Sequence, residues 1–445
     1  MLTPGFRGQA ARGRCPGAQA LRKTTEDRMA DTPAAKNAAH PASPSSATAA
    51  TEQESRGYFL FLLCFLAAMS AFPSMVNDLY LPTLPAMRAE FHTSRPVVQL
   101  GLSFVMIGLG LGGLVWGPLS DKIGRKPVLF VSLAMFIVFS GVSVFSPSIA
   151  FFLGCRLFQG LGASGAVMLS KTIPADLYTG RALAKIMSTV GAINGIAPVS
   201  GPLLGGFMAK AIGWRGIFLV LTGIGLVMIL LTFFFRESLA PRNRDRGPWR
   251  ALFGEYLPLL RNRPFMIHVI LKSAALGVLF CYISSGPFII QERYGFDAMQ
   301  FGLIFGLNAM AVVLGATLSV RFRTMKKAAI TGAAGMVAFA CLEAGAISFL
   351  DSIWVFEGLI VPMLFFSGIV FAASNTLAMT EGRLSAGAAS AILGLGGYVF
   401  GFIVSPLVGM GDIQLSTSIG MTVCALICLL YAWFAYQLPA SKIQP

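Results

Sequence analysis

From Tyr58 to the C-terminal region, apolar stretches of about twenty residues follow one another, parted by short polar breaks. No other feature constrains the fold as much. A helix rises ~1.5 Å per residue, so ~20 apolar residues match the ~30 Å hydrocarbon core of a bilayer. Twelve such spans are expected, at 58–80, 97–118, 127–146, 149–171, 183–209, 214–235, 264–290, 299–320, 328–350, 353–378, 385–410 and 414–438. Strands are a poor alternative: sheet edges left open in lipid strand their backbone polar groups, and the runs lack strict alternation. Composition agrees. The 445 residues are 55% hydrophobic and 12% charged, with a mean hydropathy of +0.72, against a charged share of ~25% in soluble domains. Glycines and prolines lie along the apolar runs, as in packed membrane helices. The expected fold class is an all-α membrane protein.

The chain divides by composition. Residues 1–56 are rich in Ala, Ser, Thr, Pro and charge without an apolar face, which predicts a disordered tail; no signal-peptide core is present in it. Met29-Ala30-Asp31 offers a second plausible start, and Met1 remains the other. Between 236 and 263 lie seven Arg, three acids, Pro241, Pro248 and Pro258. This linker separates a six-span bundle at 57–235 from another at 264–438, leaving a short tail at 439–445. Equal halves about a polar linker point to a duplicated transporter architecture. Lys and Arg in the loops on the tail's side number nineteen, against five opposite. The positive-inside bias therefore puts both termini in the cytoplasm, in a multi-pass protein of the cytoplasmic (inner) membrane.

Other classes are set aside. The net charge of +15 is scattered through gaps between spans, whereas nucleic-acid binding gathers cations on one solvated face. Seven cysteines lack metal-like spacing, and His40, His92 and His268 are isolated. There is no nucleophile–base pair or ligand set for an enzyme or a cofactor, and no metal site. A sensor would carry a large soluble output domain. A carrier remains, with a small molecule, protons and the bilayer as partners, and a monomer as the expected state.

Four charges within the spans are singled out: Asp78, Arg156, Lys272 and Glu343. Each costs at least ~2.5–3.5 kcal/mol on insertion scales and needs a reason. Asp78 lies eight residues before Ala86, and Arg156 nine after Pro147, so both sit ~12–14 Å from one boundary. Matched depth on different helices suits a shared central cavity. Asp78 reads either as a buried carboxylate that exchanges a proton or as an interfacial residue on a helix ending early at Pro82. Arg156, a permanent cation, serves as a partner of Asp78 or the substrate, or as a hydrogen-bonding hub. Glu343 reads as a further proton site or a polar packing residue. Lys272 is expected to snorkel to the inner interface.

Three segments carry chemistry of their own. In Gly117-Pro118-Leu119-Ser120-Asp121-Lys122-Ile123-Gly124-Arg125-Lys126, the proline bends the helix exit and Gly124 allows a tight turn. This segment closely resembles the major facilitator superfamily signature G-x-L-[SA]-D-[RK]-x-G-[RK]-[RK]. The resemblance implies a cytoplasmic latch of Asp121, Arg125 and Lys126 with Gly117 and Gly124. The second-half loop, Arg321 to Lys327, keeps cations but lacks the D-x-x-G pattern. Arg156-Leu157-Phe158-Gln159-Gly160-Leu161-Gly162-Ala163 resembles the family's fourth-helix motif R-x-x-Q-G-x-G-A, whose arginine is linked to proton movement in proton-coupled members. Gly201-Pro202-Leu203-Leu204-Gly205-Gly206 resembles the fifth-helix antiporter motif, associated with exporters. Ala197 and Ser188 stand where that motif has preceding glycines.

Asn77-Asp78-Leu79-Tyr80-Leu81-Pro82-Thr83-Leu84-Pro85 is similar to the D-x-Y-L-P-x-L-P segment of bicyclomycin- and chloramphenicol/florfenicol-type exporters. The resemblance implies two rocking six-helix bundles and proton-coupled efflux of small drug-like or amphipathic compounds by alternating access. Asp78, Arg156 and Glu343 are the candidates for proton coupling, and the proton gradient takes the place of a cofactor. Asn77, Tyr80 and Gln159, with the aromatics Phe104, Tyr282, Phe365, Phe366 and Tyr398, are candidates to line the cavity; packing against neighbours or lipid is the alternative. An importer or uniporter of a metabolite is the competing function.

Overall fold

The computed structural model describes residues 56–245, 247, 254, 256–347 and 349–438. The expected tails, Arg56 apart, and the start at Met29 lie outside the described residues. Among those residues there is no strand, and eleven continuous helical stretches are long and apolar enough to cross a membrane. One of them, Gly180–Phe234, runs for 55 residues and is broken at Gly213, whose φ of 64° and ψ of −175° are not helical. It is therefore two helices in one run, which gives eleven to twelve apolar helices of membrane-spanning length among the described residues.

The spans are α1 (Arg56–Asp78), α2 (Arg95–Ile123), α3 (Arg125–Ser143), α4 (Ile149–Leu177), α5 (180–212), α6 (214–234), α7 (Arg263–Pro287), α8 (Ala298–Leu318), α9 (Met325–Ile347), α10 (Ile353–Glu381), α11 (Ala386–Leu407) and α12 (Ile413–Gln437). Several outrun the apolar stretches that predicted them. The extra turns carry residues such as Asp121, Lys122 and Glu381, because a helix does not stop where the hydrocarbon does. Lys171, counted as a loop cation from sequence, lies within α4.

Stops and starts have local causes. Gly124 ends α2 at φ 105°, a conformation that a side chain would strain. Ser148 caps α4 by accepting from the Phe151 amide at 3.3 Å, and Asp297 with Gln300 forms a capping box on α8. After α1 the chain does not leave the protein. A 3₁₀ turn at Leu81–Thr83 and a short helix at Leu84–Glu90 follow, and Leu81, Pro82, Thr83 and Leu84 are buried. After α7, a π-helical turn spans Phe288–Arg293.

The packing supports a duplicated architecture. In the first half α4 packs against α2 and α3, and in the second α10 packs against α8 and α9. The close approaches correspond: a Cβ on Gly160 of α4 would stand 2.2 Å from the Val105 carbonyl of α2, and one on Gly368 of α10 2.0 Å from the Val312 carbonyl of α8. Only small residues allow helices this near. Between the halves, α5 packs on α8 and α2 on α11, contacts that exchange under the same correspondence. Exposed Leu, Val, Phe and Trp side chains, such as Leu230, Phe234, Leu307 and Trp433, form a belt suited to lipid.

Candidate functional site

The Arg156 guanidinium is completely buried, and three directional bonds hold it. Nη2 donates to the Val76 carbonyl at 3.0 Å, Nε to the Gly101 carbonyl at 3.1 Å, and Nη1 to Gln159 Oε1 at 2.5 Å. Val76 is two residues from the end of α1, where helical carbonyls lack intrahelical partners. Arg156 therefore caps α1, and its charge sits at the negative end of that helix dipole. Its carbon Cζ lies 4.3 Å from the centre of the Tyr80 ring, a cation–π contact. Gln159 extends the network by donating to Ser140 Oγ at 2.7 Å. Tyr80 and Gln159 are fully enclosed. Among the described residues no ion pair joins Arg156 to Asp78; here Arg156 is a hub for α1, α2, α3 and α4.

Asp78 is the last residue of α1 and is buried. The α-helix does end early, as the interfacial reading expected, but the buried segment after it keeps Asp78 inside protein. What faces it is the Gly-Pro segment of α5. A Cβ on Gly201 would stand 3.0 Å from Asp78 Cβ, and one on Gly205 2.0 Å from the Leu79 carbonyl. The other face of that segment meets α8: a Cβ on Gly206 would stand 2.3 Å from the Ala298 carbonyl, and one on Gly302 2.5 Å from the Pro202 carbonyl. Residues 201 and 205 thus pack within the half, and 202 and 206 pack across the halves. Alternate faces follow from the four-residue spacing.

At the end where α1 begins and α12 finishes, Arg125 is nearly enclosed. It donates to Asp121 Oδ1 at 2.6 Å, to Ser120 Oγ at 2.6 Å and to Asp176 Oδ2 at 2.8 Å. The Arg125 and Lys126 amides bond the Glu237 carboxylate at 2.9 and 3.1 Å. Lys122 donates to the Gly247 carbonyl and the Asp245 amide to the Asp121 carbonyl. These partners all belong to the first half or the linker, so the cluster binds α2, α3, α4 and the chain after α6 to one another. A Cβ at Gly117 would meet only Met168, at 3.8 Å, so sterics do not require a glycine there.

In the second half, Glu343 of α9 accepts from Ser418 Oγ of α12 at 2.5 Å. Lys272 does not snorkel as expected. It is buried, donates to Asn375 Oδ1 at 2.9 Å and lies 5.0 Å from the Phe371 ring centre; α10 supplies the partner that the interface was expected to provide. Glu357, which the sequence reading missed, is buried in α10 and bonded by Asn308 and Tyr282. It lies one turn from the start of its span, where a carboxylate is ordinarily wet. Tyr282 is fully enclosed and Asn77 buried. Phe366 packs on Phe339 of α9 at 5.9 Å, Phe365 lies beside it, and Phe104 meets Phe402 across the halves at 6.1 Å. Tyr398, half-buried, packs near Gly110 of α2.

Polar contacts close the opposite end, remote from the start of α1 and the finish of α12. Arg88 and Arg95 of the first half both bond Glu292 of the second, at 2.9 and 2.8 Å. Gln99 donates to the Ser284 carbonyl at 2.9 Å, and Gln291 to the Pro82 carbonyl at 3.0 Å. Arg293 turns the other way and pairs with Asp351 and Asp412; its hydrogen bond, with that of Tyr294, holds the exposed Asp351 carboxyl below the ordinary carboxylate range.

Residues 59–406 match the model of the Major Facilitator Superfamily. An uncharacterized MFS-type transporter, YdgK, of Bacillus subtilis is 31% identical over 79% of this chain and 89% of its own length. A bicyclomycin resistance protein homolog of Haemophilus influenzae is 27% identical over 87% of this chain and 98% of its own. Among solved structures, the xylose transporter XylE of E. coli, in a partially occluded inward-open conformation, superposes with a TM-score of 0.66 over 87% of this chain and all of its own, at 15% identity. That likeness is one of fold.

Proposed function

The chain belongs to the Major Facilitator Superfamily, and from that premise we propose that it is a proton-coupled exporter of small drug-like or amphipathic compounds in the cytoplasmic membrane. The supporting observation is the Gly201–Gly206 segment, held between Asp78 on one side and α8 of the other half on the other. A change at the carboxylate has a direct steric route to the surface on which the halves move. A relative named as a bicyclomycin resistance protein homolog supports the direction of transport.

With both termini cytoplasmic, the end joined by Glu292, Arg88 and Arg95 faces outward. In the cycle, Asp78 receives a proton from the outer side and yields it inside as a compound enters. Proton and compound must favour different states, since equal binding to both shifts nothing. A potential of 100 mV contributes ~2.3 kcal/mol per charge moved. Arg156 keeps its charge throughout and holds the end of α1 in place while Asp78 changes.

The test is a susceptibility panel including bicyclomycin, in an efflux-deficient host, with and without a protonophore. Resistance that the protonophore removes is expected from the wild type. Asp78→Asn should abolish it at near-normal protein levels. Uptake in place of export would favour the metabolite importer, and resistance retained by Asp78→Asn would remove the proton role.

A further inference from the structure

Glu357 is a buried carboxylate for which the scheme above has no use. Asn308 Nδ2 donates to Glu357 Oε2 at 2.6 Å and to the Tyr282 hydroxyl at 2.5 Å, and that hydroxyl donates to Glu357 Oε1 at 3.4 Å. Three helices, α7, α8 and α10, meet in this cluster. Among the described residues no cation pairs with Glu357. α7 brings Tyr282 to it and α8 brings the neutral Asn308; α8 and α11 carry no charged residue between 298 and 318 or between 386 and 407. Glu343 of α9 bonds Ser418, Lys326 bonds the Leu438 carbonyl, Lys272 bonds Asn375, and Asp351, just before α10, and Asp412, just before α12, both pair with Arg293. A carboxylate enclosed by neutral donors alone is costly to keep ionised.

The neighbouring amide suits both ionisation states. Asn308 Oδ1 is buried with no hydrogen-bond partner. In the arrangement seen, both donors of the amide are used and its acceptor is idle, which fits an ionised Glu357. Turned over about its Cβ–Cγ bond, the same amide would present Oδ1 to Glu357 and accept a bond from the protonated acid. The cluster can therefore take up a proton by exchanging one set of hydrogen bonds for another. Asn308 also shares α8 with Gly302 and Ala298, the residues against which Pro202 and Gly206 of the first half pack.

From this juxtaposition we propose that Glu357 is a second proton-exchanging carboxylate of the transport cycle, with Asn308 as the positioning residue that relays its state to the α5–α8 contact. This rests on the reading of the protein as a proton-coupled carrier, but not on Asp78. One proton per cycle passes to Glu357 from the outer side and leaves it inside; no bond other than O–H forms or breaks.

The test needs no substrate. Spin labels at Lys210 and Phe349, on the remote ends of the two halves, with Cys15 and the exposed Cys64 and Cys341 replaced by serine, report the opening of that end in lipid nanodiscs between about pH 5 and 9. Two pH-dependent steps are expected. Glu357→Gln should remove one step and leave the other, and Asp78→Asn should do the converse. Glu357→Asp should restore the step at a displaced midpoint, and Asn308→Ala should displace it without removing it. A Glu357→Gln profile superimposable on the wild type overturns the proposal while leaving Asp78 its role; an Asp78→Asn profile that keeps both steps removes Asp78 and leaves Glu357. Should Glu357→Gln fail to fold, an unchanged midpoint in Glu357→Asp overturns the proposal equally.

Discussion

Arg156 shows how far one side chain's surroundings decide its role. Three acceptors on α1, α2 and α4 lie in three directions around a planar group, and only a guanidinium reaches them together. Arg156→Lys keeps the charge but leaves at least one buried acceptor without its donor, at a cost of ~1–3 kcal/mol. The variant should therefore lose several degrees of melting temperature in detergent along with transport, read by scanning fluorimetry and by the susceptibility panel. Full activity at unchanged stability would mean that charge alone is required.

At the scale of elements, α5 is a wedge with two working faces, and single methyl groups can separate them. Gly205→Ala drives a Cβ toward the Leu79 carbonyl within the half, while Gly206→Ala drives one toward the Ala298 carbonyl across the halves. Overpacking costs ~1–3 kcal/mol, but it is relieved differently. Gly205→Ala should destabilise the first bundle in every state. Gly206→Ala should be relieved by parting the halves, so it should leave stability nearly unchanged and raise the labelling of cysteines introduced at the remote end. Equal stability loss in both variants would deny that the faces are distinct. The π-helical turn after α7 is a second such device: it sends Gln291 and Glu292 toward the first half and Arg293 toward the second, consistent with extra residues in a helix re-aiming its side chains.

For the whole molecule, the closed end rests on few polar contacts, of which Glu292 between Arg88 and Arg95 is central. These groups are partly exposed, so the pairing contributes ~1 kcal/mol or less. Glu292→Gln should shift the balance toward the open remote end by about two- to fivefold, as read from spin-label distances, and high salt should mimic it in the wild type. No effect would place the closure in apolar contacts alone. Much of the fold was legible beforehand because bilayer thickness fixes span length and charge punctuates spans. Helix ends were not, since α2, α4 and α10 continue as helices beyond the apolar run. Asp78, Arg156 and the Gly-Pro segment stood out by chemistry; Glu357 did not, because its distance along the span resembles that of a wet carboxylate.

The sequence by itself determined that this chain is an all-helical membrane protein of many spans, because apolar length against bilayer thickness leaves little choice. Only the tertiary structure decided what each buried polar group meets. Burial deep in lipid demands a partner without naming it, and the partner comes from whichever helix packs alongside: Val76 for Arg156, Asn375 for Lys272, Asn308 for Glu357. Those pairings depend on contacts between segments far apart in the chain, which no local pattern encodes.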